Sequence, residues 1–171
     1  MNLRLMTKSM LLCSLVGLVF IMTNCNNKSV TNLDKIDSLK KQVQADAKTL
    51  NDIEAKEYVT LKKDFMACDS MLQYQSPEQM QKSFETLQLV QAYLEQFKFT
   101  KPMMQADMDT TLHQLERLKA DAESHYLSDS LVTVYLENET EYVNKLSNQV
   151  RYFQDRFNSC QQDLNAMKNQ K

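Results

Sequence analysis

The sequence predicts an all-α protein, an elongated antiparallel coiled-coil-like bundle of three or four helices with no β-sheet. The 171-residue chain has one glycine and two prolines, whereas β-hairpins and phosphate-binding loops need glycine where φ is positive or the backbone approaches a ligand. Residues that favour helix, such as Gln, Lys, Leu and Met, are abundant. Apolar residues recur at spacings of three and four, which is typical of a helix with one buried face.

The first helix is expected over residues 32–75. Asp34 and Asp37 lie in its first turns, where a helix N-terminus favours negative charge. Its apolar face changes phase once, at the five-residue step from Ile53 to Tyr58. The residues of this face are Leu33, Ile36, Leu39, Val43, Ala47, Leu50, Ile53, Tyr58, Leu61, Phe65, Cys68 and Leu72.

Ser76-Pro77-Glu78-Gln79 predicts the start of a second helix over residues 77–98. Ser76 can cap it, Pro77 fits the first turn, and Gln79 completes a capping box. Pro102 predicts a break or a kink, followed by a third helix over residues 102–126. The apolar positions of these two helices are Met80, Phe84, Leu87, Val90, Leu94, Phe97, Met104, Met108, Leu112, Leu115, Leu118 and Ala122.

The fourth helix is expected over residues 129–168, with Ser128 as its cap, and it has the most regular apolar seam of the chain. Only Glu139 interrupts the alternation of three- and four-residue steps, which is the pattern of coiled-coil packing. The seam consists of Val132, Leu136, Val143, Leu146, Val150, Phe153, Phe157, Cys160, Leu164 and Met167.

Two arrangements of these segments fit the sequence. In the first, Pro102 only kinks a long middle helix, and the chain forms a three-helix bundle in which Cys68 and Cys160 lie level as a candidate disulfide. In the second, every break reverses the chain and four helices form. The two cysteines would then lie about 24 residues, or roughly 36 Å, apart along the bundle, too far for a bridge. The segments of the first arrangement are 32–75, 77–127 and 129–168.

The first 24 residues have the features of a signal peptide. Arg4 and Lys8 precede a 13-residue apolar run, Met10–Met22. A membrane-spanning helix needs roughly 17–25 apolar residues, whereas a signal peptide's apolar region is of the length seen here. An uncleaved signal anchor and an ordinary secretion signal are the competing interpretations.

The segment Met22-Thr23-Asn24-Cys25 resembles the lipobox of bacterial lipoproteins, and the polar residues after it are similar to the tethers of Bacteroidota lipoproteins. The resemblance covers residues 1–25 and departs from the usual pattern at Met22, where Leu is common, and at Asn24, where a small residue is common. It implies removal of residues 1–24, acylation of Cys25, a tether over residues 25–31 and one helical domain over residues 32–168. Some Bacteroidota lipoproteins carry acidic residues directly after the cysteine as a signal for export to the cell surface. No acidic residue directly follows Cys25, so the resemblance implies attachment to the outer membrane on its periplasmic side.

The charges of the chain are interspersed and do not indicate nucleic acid as a partner. Signal cleavage would remove Arg4 and Lys8 and no acidic residue, changing the net charge from −2 to −4. No cluster of basic residues follows the tether or lies along a predicted helix, as a phosphate-binding surface would require.

No catalytic, metal or cofactor site is predicted, so we expect the protein not to be an enzyme. His113 and His125 are 12 residues apart, and a bundle di-iron site needs a Glu-x-x-His motif from each of two helices. Glu137, Glu139 and Glu141 are expected to form a solvated helix face, with a buried partner for Glu139 as an alternative.

The predicted function is that of a membrane-anchored envelope scaffold or adaptor. Its partners would be the bilayer, through acylated Cys25, and an envelope protein or a second copy of the chain. The alternative is a periplasmic holdase or carrier that binds apolar clients through methionine and aromatic side chains. The candidate partner-binding residues, for which core packing is the competing interpretation, are Phe97, Phe99, Met103 and Met104.

Overall fold

The structure, a computed structural model, describes residues 31–74 and 76–169, which form three long helices. Helix α1 comprises α-helical residues 31–52, a π-helical segment Ile53–Tyr58, the α-helical segment Val59–Met71 and a 3₁₀ turn Leu72–Tyr74. Helix α2 is Pro77–Glu123, and α3 is Asp129–Lys168. The described residues include no strand, and the predicted all-α bundle is confirmed. The predicted signal peptide, Cys25 and the tether up to residue 30 lie outside the described residues.

Helices α1 and α3 run parallel, and α2 runs antiparallel between them, so the three-helix arrangement is correct and the four-helix one is wrong. The predicted break between residues 98 and 102 is wrong because α2 continues through Pro102. Proline removes the N–H that would bond to the carbonyl of Lys98. Both residues are exposed, so water can satisfy that carbonyl. Phe97 and Met104, on either side, are buried in the core and hold the helix there.

The π-helical segment Ile53–Tyr58 accounts for the change of phase predicted at these residues. A π turn takes extra residues into the helix, so the apolar face returns to the core and Leu61 is buried beyond it. Side-chain hydrogen bonds join α1 to α3 on both sides of the segment, at Asn32–Thr133 before it and at Asp64–Gln161 after it.

Both predicted N-caps are present. The Ser76 hydroxyl accepts from the Gln79 N–H at 3.5 Å and donates to Gln79 Oε1 at 3.1 Å. The Ser128 hydroxyl accepts from the Leu131 N–H at 3.4 Å. These bonds satisfy N–H groups that have no partner within the first helical turn, so side-chain capping fixes where α2 and α3 begin.

Helix α2 ends without a glycine, and His125 takes a left-handed conformation with φ of 54°. The Tyr126 N–H returns to the Asp121 carbonyl at 3.0 Å, which is the type of closure that glycine usually makes at this position. A left-handed residue other than glycine costs roughly 1–2 kcal/mol, because its Cβ approaches the backbone.

Replacement of His125 by glycine is therefore expected to raise the free energy of unfolding by about 0.5–1 kcal/mol, since relief of this strain exceeds the greater freedom of glycine in the unfolded chain. Urea denaturation with His125→Ala as the control measures the effect. Equal stability of the two variants would show that the strain is absent.

The core runs the length of the bundle, and all ten predicted seam residues of α3 are buried. At its centre the Phe97 ring of α2 lies 5.6 Å from Tyr58 of α1 and 5.2 and 5.0 Å from Phe153 and Phe157 of α3, measured between ring centroids. Aromatic pairs at these distances add to the burial of their area. One side chain of α2 thus joins all three helices.

Met80 and Phe84 were assigned to the buried face of α2, and this assignment is wrong. They are 39% and 51% exposed, whereas Ser83 and Leu87 are buried. The inner face of α2 therefore passes through Ser83, a polar residue that apolar periodicity does not detect. Met80 and Phe84 lie beside it on the surface.

Polar contacts between helices fix the register of the bundle. Lys119 of α2 contacts both carboxylate oxygens of Asp37 on α1, at 2.8 and 2.7 Å, and this bond lowers the pKa of Asp37. Asp64 of α1 accepts from Gln161 and pairs with Lys168 of α3, and Lys168 lowers the Asp64 pKa. Contacts of this kind near both ends of α1 oppose sliding of one helix past another.

Candidate interaction surface

The structure divides the four residues proposed for partner binding into two pairs. Phe97 and Met104 are each 1% exposed, so they belong to the core and the partner-binding interpretation is wrong for them. Phe99 and Met103 are 72% and 67% exposed. They are four residues apart on α2 and share its outer face.

Phe99 and Met103 belong to a longer, mostly apolar row that also contains the polar residues Gln96 and Thr110, and we call this row the outer seam. Its seven members follow each other at alternating steps of three and four residues, the spacing of a coiled-coil stripe. All are exposed in the three-helix bundle. They are Leu89, Ala92, Gln96, Phe99, Met103, Ala106 and Thr110.

The outer seam repeats the buried seam of α2 two residues later in the chain. Buried Leu87, Val90 and Leu94, for example, are followed two residues on by Leu89, Ala92 and Gln96. With 3.6 residues per turn, a two-residue step is a rotation of about 200°, so the two seams lie on opposite sides of the helix. Helix α2 therefore has one coiled-coil face against α1 and α3 and a second one in solvent.

The charged side chains of α2 are divided between its two sides. Glu95, Asp107 and Asp109 lie beside the outer seam, adjacent in sequence to its members. Lys98 lines the groove against α1, and Lys101 pairs with Glu54 of α1 at 2.5 Å. In coiled-coil positions these three carboxylates flank the seam directly, whereas Lys98, which lines the groove against α1 together with Glu95, lies one position further from the seam.

A groove of about 570 Å³ runs along one edge of the outer seam, between α2 and α3. Gln96 and Thr100 line it from α2, and Lys145 and Tyr152 are among its residues on α3. At its end the Arg156 guanidinium stacks on the rings of Tyr93 and Tyr152, 5.5 and 5.3 Å from their centroids. The outer seam therefore adjoins a shallow groove with an aromatic end.

Cys68 and Cys160, the candidate disulfide, are both buried free thiols in the structure. They lie at the same level of the bundle, as the three-helix arrangement predicted. Cys68 Sγ is 3.7 Å from the carbonyl oxygen of Leu164, one turn beyond Cys160 on α3. Burial raises the pKa of the Cys68 thiol and raises that of Cys160 to about 11.

Both thiols are expected to react slowly with a disulfide reagent at pH 8 in the folded protein, because the thiolate is the nucleophile. Unfolding in urea should expose them and raise the rate about 100-fold or more. Stopped-flow measurement of released thiolate follows both states. Fast reaction of the folded protein would contradict the burial, and a mobility change on reduction would show a bridge.

Glu139 is half-exposed, and its Oε2 atom is buried without a hydrogen-bond partner. The buried partner considered for Glu139 is not present at this oxygen. Desolvation raises its pKa above the ordinary value of 4.5. A carboxyl group whose pKa is raised by folding destabilises the fold when it is charged. This penalty disappears as the pH falls through the folded pKa towards the pKa that the group has in the unfolded chain.

Glu139→Gln is accordingly expected to be more stable than the wild type at pH 8, with the difference vanishing near pH 4. Urea titrations across this range test the sign, with exposed Glu137→Gln as the control. A gain that is independent of pH would contradict the assignment.

The histidines and carboxylates of the described residues give no candidate metal site. His113 is exposed and lies 3.8 Å from Glu116 on its own helix. Across residues 31–74 and 76–169, no three His, Cys, Asp or Glu side chains lie close enough together to hold a metal ion. None of the described helices combines the length and apolarity required to cross a membrane.

Leu89, Ala92 and Ala106 of the outer seam were not predicted as functional residues. The signal that would have found them is the second three-and-four repeat, displaced by two positions from the first. Comparison of the chain with protein families, with curated proteins and with solved structures finds no match in any of the three. The outer seam is therefore interpreted from its own geometry.

Proposed function

We propose that the protein is a lipid-anchored scaffold or adaptor of the bacterial cell envelope, attached to the outer membrane on its periplasmic side. It binds another protein through the outer seam of α2. The observation that carries this proposal is the exposure of that seam, with Leu89 at 49%, Phe99 at 72% and Met103 at 67%. Exposed apolar side chains grouped on one helix face mark interaction sites in soluble domains.

The position of the outer seam suits an anchored scaffold. Residue 31, which is six residues after Cys25 in the sequence, lies at the same end of the bundle as the turn between α2 and α3. Thr110 and Leu89 are 13 and 34 residues from the end of α2 at Glu123. At 1.5 Å per residue the seam begins about 20 Å and ends about 50 Å above that end. Anchoring at Cys25 would hold the seam clear of the bilayer.

The anchor is tested by metabolic labelling with an alkyne fatty acid in a bacterial host that processes lipoproteins. The wild-type chain should be labelled and remain in the membrane fraction, because two or more acyl chains give stable attachment. Cys25→Ser should lose the label. Labelling that persists in Cys25→Ser would contradict acylation at this residue.

The scaffold role is tested by mild detergent extraction and native size measurement. We expect the wild-type chain in an assembly larger than one processed chain. The double variant Phe99→Glu/Met103→Glu should return it to its own size, since buried charge opposes the docking of an apolar face. A wild-type chain that is monomeric after extraction would contradict the proposal.

A holdase or carrier is the second candidate, favoured by exposed apolar side chains beyond the outer seam. Met66 on α1 is 61% exposed and Phe84 on α2 is 51% exposed, and methionine-rich surfaces adapt to varied partners. A holdase should suppress aggregation of a thermally unfolded client at a one-to-one ratio. No suppression at that ratio would exclude this candidate.

A further inference from the structure

We propose that the occupant of the outer seam is an amphipathic helix of a partner protein, with an apolar face about three heptads long and basic residues on both flanks. This inference rests on the proposed scaffold function and specifies the chemistry of the partner. The spacing of the seam, the sizes of its side chains and the charges beside it support the inference separately.

The spacing of the outer seam fits a helix better than any other partner. Its alternating steps of three and four residues keep a row of side chains facing one neighbouring helix over 22 residues, or about 30 Å. An extended strand would match a period of two, and it needs an open sheet edge, which the described residues do not provide.

The sizes of the seam's side chains also fit a helix. Large Leu89, Phe99 and Met103 project from the helix, and small Ala92 and Ala106 are the seam members that follow Leu89 and Met103. In coiled-coil packing, projecting side chains of one helix enter spaces on the other. The two alanines provide such spaces for large side chains of the partner.

The charges beside the seam determine which helix is accepted. Glu95 and Asp109 flank one edge of the seam and Asp107 flanks the other. On α3, across the groove, Glu141 and Lys145 offset each other in charge, and Arg156 is engaged with two tyrosine rings. Stacking leaves the charge of Arg156 in place, so three carboxylates against Arg156 and Lys98 give a net charge of −1 beside the seam. Lysine or arginine at the flanking positions of the partner would complement it, as in natural coiled coils.

The same charges exclude a second copy of this chain as the preferred occupant. In an antiparallel pair of α2 helices, each edge of one seam meets the same edge of the other, so Glu95 and Asp109 would face Glu95 and Asp109. A parallel pair would bring Asp107 against the edge that carries Glu95 and Asp109. The antiparallel pair places carboxylates together, and the parallel pair joins two acidic edges with no basic residue at a flanking position to offset them, which is unfavourable across a coiled-coil interface.

The test measures binding of synthetic helices to the full chain in nanodiscs of neutral phosphatidylcholine. Two fluorescent peptides of about three heptads carry the same Leu and Ala face, one with Lys and one with Glu on its flanks. Fluorescence anisotropy, corrected with empty nanodiscs, gives their affinities. We expect the Lys-flanked peptide to bind at least about tenfold more tightly and to weaken with added salt.

The variant Phe99→Glu/Met103→Glu should weaken binding of the Lys-flanked peptide at least about tenfold, because apolar anchors dominate such interfaces. The control Met80→Glu/Phe84→Glu changes another exposed Met and Phe pair of α2, also four residues apart, and should leave binding unchanged. Circular dichroism confirms that both variants stay folded.

Equal binding of the two peptides, or equal loss in both variants, would overturn the inference. So would sedimentation showing a dimer of the full chain that Phe99→Glu/Met103→Glu dissociates, because the occupant would then be a second copy. If neither peptide binds although the wild-type chain is still extracted as a larger assembly, the inference of a basic partner helix is wrong. The scaffold proposal would be unaffected by that result.

Discussion

Replacement of Phe97 by alanine is expected to lower the free energy of unfolding by about 3–5 kcal/mol. The Phe97 ring is 1% exposed and contacts aromatic rings of both other helices. Its loss would leave a cavity where α1, α2 and α3 meet. Urea denaturation followed by circular dichroism measures the effect.

The matched control is Phe99→Ala, which removes the same side chain two residues further along α2. Because Phe99 is 72% exposed, its loss should change the free energy of unfolding by no more than about 0.5 kcal/mol. Comparable destabilisation by the two substitutions would contradict the assignment of Phe97 to the core and Phe99 to the surface.

Pro102→Ala is expected to raise the free energy of unfolding by about 2–3 kcal/mol. Alanine would supply the N–H that the Lys98 carbonyl lacks and remove the clash of the proline ring within the continuous helix Pro77–Glu123. Calorimetry or urea denaturation gives the change in stability.

Pro77→Ala is the control, since Pro77 is in the first turn of α2, where no N–H is needed. It should be neutral or slightly destabilising. If Pro102 instead began a separate helix, Pro102→Ala would behave like Pro77→Ala. A missing gain at Pro102 would thus favour the four-helix arrangement.

The sequence predicted the helices and most of the core because their cause is local periodicity. The ten-residue seam of α3, the caps at Ser76 and Ser128 and the change of phase after Ile53 could all be recognised from spacing and residue type. The path of α2 through Pro102 could not be predicted, because it depends on packing on both sides of the proline. Propensity favours a break there, whereas the burial of Phe97 and Met104 favours continuity.

The candidate surface was only partly predictable. Phe99 and Met103 were recognised as apolar residues near a presumed loop, together with Phe97 and Met104, which are buried. Distinguishing the exposed pair from the buried pair requires the phase of the buried seam of α2, and Lys101 and Pro102 interrupt that seam in the sequence. Once that phase is known, a shift of two residues identifies the outer seam.

The most direct test of the central claim, that the outer seam of α2 binds a protein partner, is site-specific photocrosslinking in intact cells. A photoreactive amino acid is placed at Phe99, and at Phe84 on another face of α2 as the control. We predict one discrete, larger crosslinked species from Phe99 and none of that mass from Phe84, with mass spectrometry identifying a different protein in it. The claim would be contradicted if neither position gave a crosslinked species, or if both positions gave the same products.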